Sequence, residues 1–399
     1  MLLALALALA IPPPAPASLP GRWYPDLSSD PITTIDRLES LGYVTGSAPA
    51  PAHTGVVVWD RARAVAGVSL YNSGHAATAS LIAMDGKVLH TWAKPFSAAF
   101  PAVTSNDPEA TGTWRRVALR PADGHLLAIF EGLGLVHLDR QSRIVWATAN
   151  RAHHDARWRP DGGVLVLTRV PRPDRGPPGH PLLEDFVTEL DDEGQVVRRV
   201  SVLAALARSP WAHLLDRAPP DTGDILHTNA LFPLDDVHDD SGFTGPGRVL
   251  LSMRHIGALA VLDLDQQRIL WATTGDWSRQ HDVEITPTGA LMMFDNRGAT
   301  RGMSRVLALE PWTTKLRWSY AGSPEHPLVS EVLGAAQELP NGSVLVTEST
   351  RGRVVEVTRG GEVVWEYRNP ERAGPNDVYI AAIFEMIRYP LAAVRSWLG

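Results

Sequence analysis

Three histidines stand at one repeated position. His154 lies six residues before Pro160, His227 six before Pro233 and His281 six before Pro287, while Arg115 and Gly334 hold the same place before Pro121 and Pro340. Residues repeated at one point of a repeating unit are gathered round a common axis. Imidazoles brought together offer two chemistries. Three of them suit zinc or copper, although no helical spacing of the His-Glu-x-x-His kind is present. Alternatively, neutral imidazole acts as nucleophile, leaving group and proton carrier. The second chemistry suits transfer of an anionic group held by arginine. Arg254, in Leu250-Leu251-Ser252-Met253-Arg254-His255, falls in the second strand of the His227 unit, where a guanidinium could clamp a sulfuryl or phosphoryl oxygen. Asn229, two residues after His227, is expected on the same strand face as a further donor. Asp155 and Asp282 directly follow their histidines and are expected on the opposite face, bonding strand edges.

The elements that must position these groups are short strands. From Gly55 onward, apolar runs of four to seven residues alternate with Asp, Gly, Asn and Pro turns. One piece recurs with a terminal Trp, at Trp92, Trp146, Trp271, Trp318 and Trp365, and the last three are spaced 47 residues apart. A copy without Trp is Glu193-Gly194-Gln195-Val196-Val197. A second recurring piece is a glycine turn plus strand, as in Asp123-Gly124-His125-Leu126-Leu127 and Thr288-Gly289-Ala290-Leu291-Met292. In fixed alternation these pieces give six four-stranded units, with an insertion around Ala204–Asp221. The spacing predicts an all-β fold, a six-bladed β-propeller over residues 55–375, with a short N-terminal arm and a C-terminal helix. The predicted units run Gly55–Trp92, Trp114–Trp146, His154–Val200, His227–Trp271, His281–Trp318 and Gly334–Trp365. The first strand of each lines the central channel, and the repeated Trp anchors one blade to the next. An apolar stripe at Ile380, Ala381, Ile383, Phe384, Ile387 and Leu391 predicts a helix within residues 376–399, interrupted at Pro390.

Composition sets the bounds. In 399 residues, 44% are hydrophobic and 20% charged, the balance of a globular chain. A formal charge of −7 argues against nucleic acid as partner. The absence of cysteine excludes disulfides, thiolate nucleophiles and Cys-based zinc sites. Met1–Ile11 is an apolar run too short to span a bilayer, followed by Ala15-Pro16-Ala17. Residues 1–17 therefore read as a signal peptide, 18–54 as a Pro/Ala-rich arm, and the mature chain as periplasmic or otherwise exported, with no stable membrane span.

Asp224-Ile225-Leu226-His227-Thr228-Asn229, Ser252-Met253-Arg254-His255 and His281-Asp282-Val283 followed by Leu291-Met292-Met293-Phe294-Asp295-Asn296 resemble the bacterial arylsulfate sulfotransferases. Those are six-bladed propellers that use no nucleotide sulfate donor. The resemblance implies that His281 is the histidine transiently sulfated, that His227 and Asn229 contact the sulfuryl group, and that Arg254 binds it. It implies a further active-site histidine at His153 or His154, with the proline spacing favouring His154. It also implies an active-site hydroxyl residue in the last blade, for which Ser330 is the candidate. No cofactor and no metal are expected under this reading. The partners expected are small-molecule aryl sulfates and phenols, and a homodimer stays open because the family's N-terminal β domain is here a short Pro-rich stretch. Two rivals remain: a non-catalytic propeller binding a partner or small anion at the channel mouth, and a His-metal hydrolase or oxidoreductase.

Overall fold

The structure is a computed structural model that describes residues 48–176, 181–220, 222–298 and 303–398. The signal-peptide segment and nearly all of the arm lie outside the described residues.

Six sheets of at least four antiparallel strands form the propeller. The channel-lining strands of blades two to six are Arg116–Arg120, Ala152–Trp158, Thr228–Pro233, His281–Ile285 and Ala335–Glu338. Most of their apolar residues are buried, because each blade packs against two neighbours, while Trp158 and Phe232 at the far ends are part-exposed. Ends of the outer strands stay wet, as at Val88, Val145, Val197 and Leu316.

The tryptophans join the blades as expected. Trp92 Nε1 donates to Gly124 O (3.0 Å), Trp146 to Asp192 O (2.9 Å), Trp318 to Arg359 O (3.0 Å) and Trp365 to Met84 O (2.9 Å), each reaching a turn of the following blade. Trp271 instead packs edge-on against Trp312 at 5.3 Å. The glycine turns make room for this. At Gly194 (φ +80°), a Cβ would sit 2.6 Å from the Trp146 ring.

Ring closure departs from the sequence expectation at both ends. Gly55–Trp59 is not the first strand of the first blade. It pairs with Val363–Arg368 as a fifth, outer strand of the last blade. The stripe from Ile383 is not helical. Ile383–Tyr389 is a strand that pairs with Val68–Ser73 as the innermost strand of the first blade. Its residues are buried on both sides, so it shows no two-residue alternation and its apolar run mimics a helical stripe. The propeller thus extends to Tyr389, beyond residue 375. The helix is confined to Leu391–Leu398, just past Pro390, where Trp397 donates to Pro121 O at 2.7 Å. Phe384 lies six residues before Pro390 and supplies the missing sixth member of the column.

The insertion holds a helix, Val202–Ala207, whose N-terminus is capped by Ser201 Oγ accepting from Ala204 N–H (3.0 Å). A 3₁₀ turn at Ala212–Arg217 packs with it on the third and fourth blades. Among the described residues no helix is long and apolar enough to cross a membrane.

Candidate active site at the channel mouth

The proline-spaced column opens each inner strand at one mouth of the channel, and there the strands are irregular. Pairing slips at a bulge beside His154, between Thr228 and Ala230, and between His281 and Glu284. His154 (φ +56°), His227 (φ +49°) and Asp282 (φ +53°) adopt the left-handed conformation. Such backbone costs on the order of 1–3 kcal/mol per residue and collects at functional sites. Bulges aim these side chains; simple alternation does not. This matters for Asn229, whose expected direction rested on alternation from His227, across the slipped register. At the column's fifth place, Gly334 has φ +100°, and a Cβ there would come 2.4 Å from the Phe294 ring.

His281 is 5% exposed. Its Nδ1 faces Asn296 Oδ1 at 2.6 Å and Arg279 O at 3.0 Å. The Asn296 amide nitrogen donates to Ser330 O (2.8 Å) and Leu333 O (2.6 Å), so its oxygen is the end turned to the histidine. Two acceptors at Nδ1 place the ring proton there and leave the Nε2 lone pair free. Burial, then the charges of Arg254 and Arg115, push the His281 pKa well below its ordinary value, so the ring is neutral at pH 7.

His227 donates from Nδ1 to Asp224, a contact that again frees Nε2. Asp224 also meets Arg169 (3.4 Å), which donates to Asp185 (2.9 Å), and Asp185 accepts the Thr228 N–H (2.8 Å). Burial disfavours the Asp224 charge, yet Arg169 and His227 overcome it and hold the carboxyl well below its usual range. His227 is itself pushed down by burial. Its ring lies 4.7 Å from that of His154 and 4.5 Å from that of His255.

His154 and His153 share a proton between their Nδ1 atoms at 2.9 Å. Glu131 accepts the His154 backbone N–H (3.0 Å). Of the two, His154 touches His227. His153 is fully buried, with Nε2 3.6 Å from Asp185, and burial lowers its pKa to about 4. Arg254 sits between two histidines. Its backbone N–H donates to His227 O (3.1 Å), and its guanidinium donates to His255 Nε2 (3.0 Å).

Asn229 commits one amide hydrogen to Gln280 O (2.8 Å), the residue before His281, while its buried Oδ1 has no hydrogen-bond partner among the described residues. Ser330 is fully buried. Its hydroxyl donates to Val332 O (2.8 Å), and its carbonyl holds Asn296. The structure therefore places Ser330 behind Asn296, the partner of His281. Residues the spacing did not mark are Asn296, His255, Glu131, Asp224 and Gln280. Asp224, His255 and Asn296 lie in the motifs that carry the family resemblance, whereas Glu131 and Gln280 carried no signal.

Asp155 and Asp282 do bond strand edges, accepting Leu231 N–H and Ala336 N–H, each at 2.9 Å. Their other oxygens meet Arg116, at 3.1 and 3.3 Å, and Arg116 also pairs with Glu385 at 2.6 Å. This buried hub lies across the channel beneath the histidines. Beyond it, at the opposite mouth, is a cavity of about 840 Å³, lined by Arg157, Trp158, Phe232, Glu284 and Tyr389 among others. None of the column histidines lines it.

Among the described residues, two groups have donor atoms close enough to share a cation, Glu131 with His153 and His154, and Asp224 with His227 and His255. In the second group the ligand atoms are already engaged by cations, Arg169 on Asp224 and Arg254 on His255. In the first, the two histidine Nδ1 atoms are bonded to each other. The electrostatics favour an anion.

Fold and site together define a six-bladed propeller whose channel mouth holds neutral imidazoles against buried guanidinium groups. The arylsulfotransferase (ASST) family matches residues 121–370, and the chain belongs to that family. No curated protein matches the sequence. Among solved structures, a protein of unknown function from Bacteroides caccae is 12% identical, with 81% of this chain and 99% of that one covered at a TM-score of 0.50. Virginiamycin B lyase from Staphylococcus aureus is 11% identical, covering 80% and 85% of the two chains at a TM-score of 0.43.

Proposed function

We propose that the protein transfers a sulfuryl group from an aryl sulfate to a phenol by a ping-pong route through a sulfo-histidine. The observation that carries this reading is the cradle of His281: its Nδ1 is held by Asn296 and Arg279 O, which leaves Nε2 as a neutral nucleophile in a cationic setting. Nε2 attacks sulfur as the bond to the phenolic oxygen breaks, and the aryl group departs with the bonding pair. Arg254, with His227 and Asn229, stabilises the sulfuryl oxygens in the transition state. His154 or His227 meets the departing oxygen. The same group then takes the proton of a second phenol, whose oxygen attacks the sulfo-histidine and restores Nε2. Because both rings are held neutral, donors with good leaving groups are favoured. Family membership and the apolar run near the N-terminus also support a periplasmic or otherwise exported site of action.

The test is incubation with 4-nitrophenyl sulfate and a phenol, without nucleotide donor. Release of 4-nitrophenol, acceptor sulfation and a sulfated histidine found by mass spectrometry at His281 are expected. Normal turnover by His281→Ala would overturn the assignment.

A further inference from the structure

Arg279 and Arg297 flank the nucleophile's anchor. The carbonyl of Arg279 is one of the two acceptors at His281 Nδ1, 3.0 Å away. Arg297 directly follows Asn296, which supplies the other acceptor at 2.6 Å. The two segments are tied together, since Arg297 N–H donates to Ser278 O (3.3 Å) and Ser278 N–H to Asp295 Oδ1 (2.9 Å). Arg279 adopts the left-handed conformation, φ +58°, at the entry to the strand. Its side chain is half-buried, and that of Arg297 is exposed.

Neither guanidinium has a carboxylate partner among the described residues. The two acids on the same segments, Asp276 and Asp295, are both taken by Arg305, at 3.3 and 2.9 Å. Burial, together with the like charge of Arg297, pulls the Arg279 pKa below its ordinary value, and the charge of Arg279 also reaches the His255 ring. The two segments that carry these like charges are joined by hydrogen bonds, and an anion between the guanidinium groups would offset their repulsion. The sulfuryl group does not need them. A sulfate monoester carries a single negative charge, and Arg254 and Arg115 already bear on His281.

We propose that Arg279 and Arg297 form a second anion subsite beside His281, so that the preferred substrates are phenols and aryl sulfates carrying an additional anionic group, a carboxylate foremost. This rests on the sulfuryl-transfer reading for its substrate class, but the subsite binds an anion whether or not transfer occurs. Arginine suits a planar carboxylate by paired N–H donors.

The experiment compares 4-hydroxybenzoate with its methyl ester as acceptors from 4-nitrophenyl sulfate, in the wild type and in an Arg279→Gln, Arg297→Gln double variant. Thermal melting confirms that the variant is folded. The carboxylate-to-ester ratio of kcat/KM is expected to fall about ten-fold in the variant, the loss typical of a charged hydrogen bond. An unchanged ratio overturns the subsite. In parallel, calorimetry without donor measures binding of the two acceptors. Tighter binding of the carboxylate that the double variant abolishes, in a protein that transfers no sulfuryl group, sustains the subsite and removes the transfer reading. Equal binding of acid and ester by the wild type removes the subsite alone.

Discussion

The Nδ1 atom of His281 lies 2.6 Å from Asn296 Oδ1, and the Asn296 amide is fixed by the carbonyls of Ser330 and Leu333. One residue on the second strand's exit thus sets the tautomer of a residue at the first strand's start, through a loop of the next blade. A neutral amide in this place orients the imidazole without adding charge. A carboxylate would orient it and raise its pKa.

Replacing Asn296 separates these effects. Asn296→Ala is expected to lower kcat by roughly ten- to a hundred-fold, as loss of an outer partner does. Asn296→Asp sets a carboxylate oxygen against the carbonyls of Ser330 and Leu333 and is expected to lose activity as well, but to move the acid limb of kcat/KM to higher pH. In the wild type that limb falls below the ordinary histidine value of 6.5, because burial favours the neutral ring. Initial-rate profiles from pH 4 to 9 check both, and an unmoved limb in Asn296→Asp would contradict the cradle.

Arg254 is held at two points, its backbone by His227 O and its guanidinium by His255 Nε2. Arg254→Lys keeps the charge and loses the planar fork, so a drop in kcat of about a hundred-fold or more is expected, comparable to removing an oxyanion donor. His255→Ala should reproduce part of that loss with little change in stability. Rates with 4-nitrophenyl sulfate measure both, and near-normal turnover by Arg254→Lys would count against an oxyanion role.

At Gly334 the backbone is left-handed and a Cβ would meet the Phe294 ring at 2.4 Å. Gly334→Ala combines conformational strain with overpacking, and a destabilisation of about 2–4 kcal/mol is expected. Denaturant titration reads it. A change below 1 kcal/mol would show that the blade interface yields easily.

Glu284 faces the far cavity, and burial followed by the charge of Asp282 pushes its carboxyl up to about 8. The folded state then holds a proton that the unfolded chain, near 4.5, has lost. This group's stabilising contribution is complete below the unfolded value and disappears as pH rises through the folded one. Glu284→Gln, which keeps the protonated shape, is expected to raise Tm by more at pH 9 than at pH 6, because the loss builds from the unfolded value up to the folded one. Equal effects at both pH values would place an ionised carboxylate there throughout.

The repeat was legible because each blade must bury the same faces against its neighbours, which writes Trp and glycine turns at matching places. The six-residue interval to proline survives because both ends of the inner strand are structurally fixed, one by a bulge and one by a turn. The same interval separates Phe384 from Pro390, but strand Ile383–Tyr389 is mostly buried and its apolar run imitates a helix. Asn229 and Ser330 show the limit of local reasoning. Register slips at the strand start break the alternation used for Asn229, and the Ser330 hydroxyl is consumed by Val332 O.

By itself the sequence determined the six-bladed β class, the column of histidines and the arginine near them, since these follow from periodicity and residue type. Only the tertiary structure decided which strand closes the ring, which nitrogen of His281 is free, and which side chains hold it. Those outcomes depend on groups far apart in the chain, such as Asn296 and Leu333 or Val68 and Tyr389, meeting at the channel. Pairings of that kind leave no local pattern to read.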